Sequence, residues 1–125
     1  MLDLLTLQIL AFDKEIEGSI TRTVIALVKG EPVGSLDVTN WHEAGGWITW
    51  VNVNELFRRR GIARRMLERL LADAYKAKKT GLGLSVKPDN EAARALYESL
   101  GFRVCHTVAG SLAMTIHVQP ALPLY

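Results

Sequence analysis

Apolar and polar residues alternate with a period of two in some stretches of this chain and recur every three or four residues in others. The first pattern predicts strands with one buried face, the second helices with one apolar stripe. Residues 2–12 are an apolar opening run, read as a buried strand. Residues 21–29, rich in Val and Ile, and the alternating residues 33–38 flank Gly30-Glu31-Pro32, whose turn chemistry predicts an antiparallel hairpin. After a loop with Asn40, Gly45 and Gly46, residues 47–53 combine β-branched and aromatic side chains in a third long strand. Between residues 61 and 79, Ile62, Met66, Leu67, Leu70, Leu71 and Ala74 lay one apolar stripe along a helix. Lys76, Lys78 and Lys79 are expected in its last turn, where cations complement the helix dipole, with Gly81 closing it. Residues 82–86 read as a short buried strand. Pro88-Asp89-Asn90-Glu91 starts a second helix and Gly101 stops it. Residues 102–108 and 112–118 are two more strands, joined by Ala109-Gly110-Ser111.

This order implies an α+β fold: a mixed, mostly antiparallel sheet of six or seven strands with helices packed on it and a parallel crossover in the middle. A chain of 125 residues without repeats or linker-like tracts is expected to form one domain, 1–125. Hydrophobic residues at 49% against 22% charged favour a packed globule over a disordered segment. The opening run contains Asp3, lacks a basic leader and is too short to span a bilayer, so no membrane partner is expected. A single cysteine, Cys105, excludes an internal disulfide and a thiolate metal cage, and points to the cytoplasm. It is expected as a small apolar filler in a strand. His42, His106 and His117 show no metal spacing, and no metal is predicted.

Charge changes the picture locally. The net charge is only +2, yet Arg58, Arg59, Arg60, Arg64, Arg65 and Arg69 fall within twelve positions. The segment 51–64 passes from a strand through this basic turn into a helix. The first amides of a helix lack intrahelical acceptors and carry the positive end of its dipole, so such a turn can hold a pyrophosphate. The same arginines could instead be a solvated face or bind nucleic acid. Against nucleic acid, the cluster is confined to one turn and its helix, with little aromatic interleaving beyond Phe57.

Arg58-Arg59-Arg60-Gly61-Ile62-Ala63 fits the pattern Gln/Arg-x-x-Gly-x-Gly/Ala, and about thirty residues later comes Asn90-Glu91-Ala92-Ala93-Arg94-Ala95-Leu96-Tyr97-Glu98-Ser99-Leu100-Gly101-Phe102. Together these resemble the two signature regions of the GNAT N-acetyltransferases. The resemblance implies a three-layer α/β arrangement, with strands 47–53 and 82–86 splayed around a slot. It also implies acetyl-coenzyme A as cosubstrate and an amine as acceptor. Val51, Asn52 and Val53 would line the pantetheine arm, with the backbones of Val51 and Val53 bonding it. Arg58, Arg59, Arg60, Gly61, Ile62, Ala63 and Arg64 would hold the pyrophosphate, and Asn90 would contact the cofactor while capping its helix. Tyr97 would protonate the departing thiolate, its alternative being an ordinary core aromatic.

Two departures from the family pattern matter. Strand 47–53 offers Thr49 and Asn52 but no carboxylate to act as base, which leaves Glu43 and His42 in the preceding loop as the nearest candidates. Only about ten residues separate the opening strand from Thr21, where the family usually places two helices as a wall of the acceptor site. The acceptor site is then either open, as suits a macromolecular substrate, or completed by a second copy in a homodimer. Trp41, Trp47 and Trp50 either border it or pack in the core. A rival from another class is an acyl-coenzyme A-binding sensor without turnover.

Overall fold

A computed structural model describes residues 6–118. Within them the chain forms strands β1 (Leu7–Ile16), β2 (Ser19–Val28), β3 (Glu31–Thr39) and β4 (Trp47–Val53). Helix α1 (Ile62–Lys76), strand β5 (Gly81–Val86), helix α2 (Glu91–Leu100) and strands β6 (Arg103–Val108) and β7 (Ser111–His117) follow. The strands make one seven-stranded sheet in the order β1-β2-β3-β4-β5-β7-β6, antiparallel except where β4 meets β5. This is the mixed α+β sheet that the sequence predicts.

Three hairpins close through two-residue turns of one kind. Glu17-Gly18, Lys29-Gly30 and Ala109-Gly110 all have positive φ at both positions, the geometry whose twist matches that of the flanking strands. The expected triplet turns are therefore shorter: Glu31 and Pro32 belong to β3, and Ser111 to β7. The first of these turns carries the largest correction. The opening strand does not end at residue 12 but runs to Ile16 and turns directly into β2, so no helix connects them. Nor is it buried, because β1 is the edge of the sheet: Leu10, Phe12 and Ile16 are about half exposed, and only Leu7 is buried. Residues 2–5 of the expected strand lie outside the described residues.

Both helices lie on one face. Ile62, Met66, Leu67, Leu70 and Ala74 of α1 share a cluster with Tyr97 of α2, Phe102 and the inward residues Val24, Leu36, Ile48, Leu84 and Met114 of the sheet. At roughly 1.5–3 kcal/mol for each large buried side chain, Ile62, Met66, Leu67 and Leu70 make α1 the anchor, whereas α2 buries only Tyr97. Arg22, bonded to Asp13 at 2.7 Å and Asp73 at 3.2 Å, and Arg69, bonded to Asp73 at 3.0 Å and to the Ile9 carbonyl, fix α1 across β1 and β2. Among the described residues the opposite face carries no helix. The layer that would complete a three-layer stack is the one that the two-residue β1–β2 turn leaves out.

The end of α1 also differs from expectation. Lys78 takes φ +59°, and the amides of Lys79 and Lys78 bond back to the carbonyls of Ala74 and Tyr75, a closed C-terminal motif with lysine where glycine is usual. Gly81 is already strand. Lys79, expected beside the helix dipole, is instead buried: its ammonium donates to the carbonyls of Glu43 and Gly45 and lies 4.5 Å from the Trp41 ring centre. Cys105 departs in the other direction. It is exposed, on the edge strand β6 whose residues all face solvent, rather than filling the interior.

Candidate active site

β4 is the strand on which the site depends. Its register against β3 jumps from Asp37↔Thr49 to Ser35↔Asn52, so Trp50 and Val51 together oppose Leu36, and Trp50 takes φ +56°. Such a bulge bends a strand and ends its pairing. Accordingly β4 and β5 pair at only two positions, Trp47↔Gly83 and Ile48↔Leu84, and part beyond them. From Thr49 onward the edge of β4 that faces β5 is available to a ligand.

The turn after β4 aims a helix start at this gap. Asn54 caps a short 3-10 turn over Glu55–Phe57, then Arg59 and Gly61 take φ of +62° and +77° to swing the chain into α1. Gly61 occupies the cap position but has no side chain to fill it, and the first intrahelical bond runs from the Arg65 amide to the Gly61 carbonyl at 3.0 Å. The amides of Ile62, Ala63 and Arg64 are thus left for an acceptor from outside. A Cβ at Gly61 would meet no atom within 4 Å, so glycine is required here by its backbone angle, with open space in front of it.

These features converge on a cleft of about 640 Å³ between the two helices and β4. Of the residues expected to hold a cofactor, Val51, Asn52, Val53, Arg58, Arg59, Gly61, Ile62, Ala63, Arg64, Asn90 and Tyr97 line it. Arg60 does not: its guanidinium lies 6.0 Å from the Phe57 ring centre, in a separate depression that reaches Thr6 and Glu31. Arg58 differs in detail, since its Nε donates to the Val53 carbonyl at 3.0 Å and so occupies one backbone acceptor of the β4 edge. Arg64 reaches across to Ser99 Oγ, which itself bonds the Leu96 carbonyl, and so ties α1 to α2.

A second cavity of about 480 Å³ lies in the gap between β4 and β5 and shares Val51, Asn90, Ala93 and Tyr97 with the first. Asn90 stands at their junction, its side-chain oxygen accepting from the Ala93 amide at 3.2 Å. Tyr97 is 7% exposed and meets Phe102 edge to face at 5.9 Å; burial pushes its phenol above the usual value, keeping it protonated. Trp47, whose ring covers Gly83, and the exposed Trp50 form the outer wall of this second cavity. Trp41 belongs elsewhere, between the cations of Arg22 and Lys79 on the helix side.

The two base candidates fall outside both cavities. His42 and Glu43 sit before β4, at the opposite end of the sheet from the start of α1. His42 Nδ1 accepts from the Ile20 amide at 3.2 Å, and the Glu43 carbonyl accepts from Lys79. Among the described residues no Asp, Glu or His lines either cavity. The carboxylate nearest to Thr49 across the sheet is Asp37 of β3, its partner in the register with β4.

The acetyltransferase (GNAT) family model matches residues 5–102. Over 52 residues the chain is 44% identical to a ribosomal protein bS18-alanine N-acetyltransferase of Salmonella typhimurium, a match covering 42% of this chain and 35% of that protein. The chain thus matches about a third of the length of this curated relative. The crystal structure of the ribosomal-protein-S18-alanine N-acetyltransferase of Escherichia coli superposes with a TM-score of 0.74 at 25% identity, covering 82% of this chain and 73% of the other. The PaiA N-acetyltransferase of Thermoplasma acidophilum, solved with coenzyme A, shares the fold with a TM-score of 0.73 at 14% identity over 78% of this chain and 60% of its own. With the splayed strands, the open helix start and the family match over most of its length, this chain belongs to the GNAT family of acetyltransferases.

Proposed function

We propose that this protein transfers the acetyl group of acetyl-coenzyme A to the N-terminal amine of a polypeptide. The observation that carries this reading is the junction of the two cavities, where the β4 edge, the uncapped amides of α1 and the Tyr97 phenol face one gap. The amides of Ile62, Ala63 and Arg64, with Arg58 and Arg59, fit a pyrophosphate, because oriented donors and fixed cations meet two negative groups without a side-chain competitor. The free edge of β4 beyond Thr49, at Val51 and the Val53 amide, fits the extended, amide-bearing pantetheine arm as a substitute strand.

Acetyl transfer then needs no covalent enzyme intermediate. A neutral amine attacks the thioester carbon, the new C–N bond forms as the C–S bond breaks, and Tyr97 gives its proton to the sulfur. The Tyr97 phenoxide recovers a proton from the nitrogen of the collapsing adduct. General acid assistance of this kind is worth about 10²–10⁴-fold in rate. The names of the Salmonella and Escherichia relatives favour a protein N-terminus as acceptor, and the sheet face that carries no helix among the described residues leaves room for a macromolecule. A second copy covering that face is the alternative, and would appear as a doubled mass in solution.

A binding module without turnover is the second reading, favoured by cavity walls that carry no carboxylate or histidine among the described residues. Nucleic acid is not favoured: Arg60, Arg64 and Arg69 point to three different partners and form no single surface. The test has two parts. Saturation with acetyl-coenzyme A at a hundred times its Kd should stabilise the fold by about 2.7 kcal/mol. Thiol release should then occur with peptides bearing a free N-terminus and not with N-blocked ones. A melting rise with no thiol release from any peptide selects the sensor reading, and no rise at millimolar ligand defeats both.

A further inference from the structure

We propose that Asp37 is the carboxylate that receives the acceptor amine and takes its proton. This rests on the acetyltransferase reading and names the group that reading lacks.

Strand alternation and the cross-strand register assign a face to each residue. Val24, Leu36, Val38 and Ile48 point toward the helices, so Thr23, Asp37 and Thr49, successive partners across β2, β3 and β4, stand in one row on the opposite face. That face leads into the gap between β4 and β5, since Thr49 and Trp47 line the second cavity. Directly opposed residues place their Cβ atoms about 4.5–5.5 Å apart, so Asp37 stands one strand in from Thr49 of the cavity wall, where an amine over Thr49 meets its carboxylate through one water.

Three observations single out Asp37. Among the described residues it is the one carboxylate that the strands direct to this face; Asp13 and Glu15 of β1 alternate to the helix side. It is partly buried, yet its hydrogen bond comes from the neutral Thr23 hydroxyl at 2.7 Å, and no cation among the described residues pairs with it. Asp13 and Asp73, by contrast, are both held by arginine. A partly buried carboxylate with a neutral partner on one oxygen keeps its other lone pairs for a cation, and an incoming ammonium is a cation that fits. The Thr23 bond also fixes the carboxylate's orientation.

The proton balance is complete. An acceptor R–NH3⁺ gives one proton to Asp37, and the neutral amine attacks the thioester. The adduct's second N–H proton passes by way of Tyr97 to the thiolate, yielding the amide and free coenzyme A thiol. Asp37 returns its proton to solvent.

The experiment compares Asp37→Asn with wild type on a peptide amine and on the same peptide with a hydrazide in place of its N-terminal amino group, whose nitrogen is already neutral at pH 7. Asp37→Asn should lower kcat/KM for the amine by about a hundredfold or more. It should cost the hydrazide less than about tenfold and leave the melting rise with acetyl-coenzyme A unchanged. Asp37→Ser, which keeps a hydroxyl partner for Thr23, supplies the same comparison if the Asn variant melts below assay temperature. Equal losses on both acceptors, or no loss, overturn the proposal while the acetyltransferase reading survives. Failure of the wild type to acetylate any peptide amine defeats that reading and this proposal together.

Discussion

The two helices begin in opposite ways. At α2 the Asn90 side chain accepts from the Ala93 amide, so the orphan donors of the first turn are partly satisfied from within. At α1 the cap is Gly61, which brings no acceptor, and the amides of Ile62, Ala63 and Arg64 open into the cleft. One start is finished and the other is left for a ligand. The division of labour follows: α1 offers backbone donors and fixed charge, while α2 offers side chains, with Tyr97 in both cavities. Variants that separate the two contributions test whether this difference is functional.

The largest effect should fall on α2. Tyr97→Phe removes only a hydroxyl and keeps the edge-to-face contact with Phe102. It should lower kcat by about 10²–10⁴-fold, with the melting rise on acetyl-coenzyme A retained. Next comes Gly61→Val at α1. A β-branched residue is strained at φ +77°, by about 1–2 kcal/mol, and relief of that strain moves the very amides that face the cleft. The dissociation constant for acetyl-coenzyme A, from calorimetry, should rise about tenfold or more. If Gly61→Val binds like wild type, α1 is not the anion site.

A smaller effect tests the finished start. Asn90→Ala should cost about 1 kcal/mol of stability, or roughly 3–5 °C in melting temperature. Asn90→Asp keeps the cap and should melt like wild type. It places a negative charge at the junction of the cavities, and so should weaken acetyl-coenzyme A binding measurably. Equal binding by Asn90→Asp would reduce Asn90 to a cap.

The sequence made α1 and α2 legible because each depends on local signals, the 3.6-residue stripe of α1 and the Asn90 cap, whereas the splay followed only from the family resemblance. What it hid depends on register. Asp37 reads as one polar residue in an alternating strand until β2 and β4 are aligned beside it. The edge position of β1 was hidden because a half-exposed apolar face and a buried one have the same alternation, and Asp13-Lys14-Glu15 masks the strand's continuation to Ile16. Lys79 looked like a dipole partner because the left-handed turn at Lys78, which diverts it inward, needs no glycine. Arg60 was indistinguishable from Arg58 and Arg59 until the turn between them gave each a direction.

The smallest expected effect concerns pH, and it separates the helices by chemistry. The backbone amides of α1 do not titrate. Affinity for acetyl-coenzyme A should therefore be flat between about pH 7 and pH 9.5 by titration calorimetry. Tyr97 on α2 does titrate, and burial raises its pKa above that of the unfolded chain. An acid with a raised folded pKa binds its proton more tightly in the native state, so its contribution is fully present below the unfolded value near 10 and is lost as pH rises through the folded one. The stability difference between wild type and Tyr97→Phe, from urea unfolding, should thus be constant up to about pH 9 and move against the wild type above pH ~10. A difference that stays constant to pH 11 would mean that the phenol is solvated in the native protein, and α2 would lose its claim to present a protonated donor to the gap.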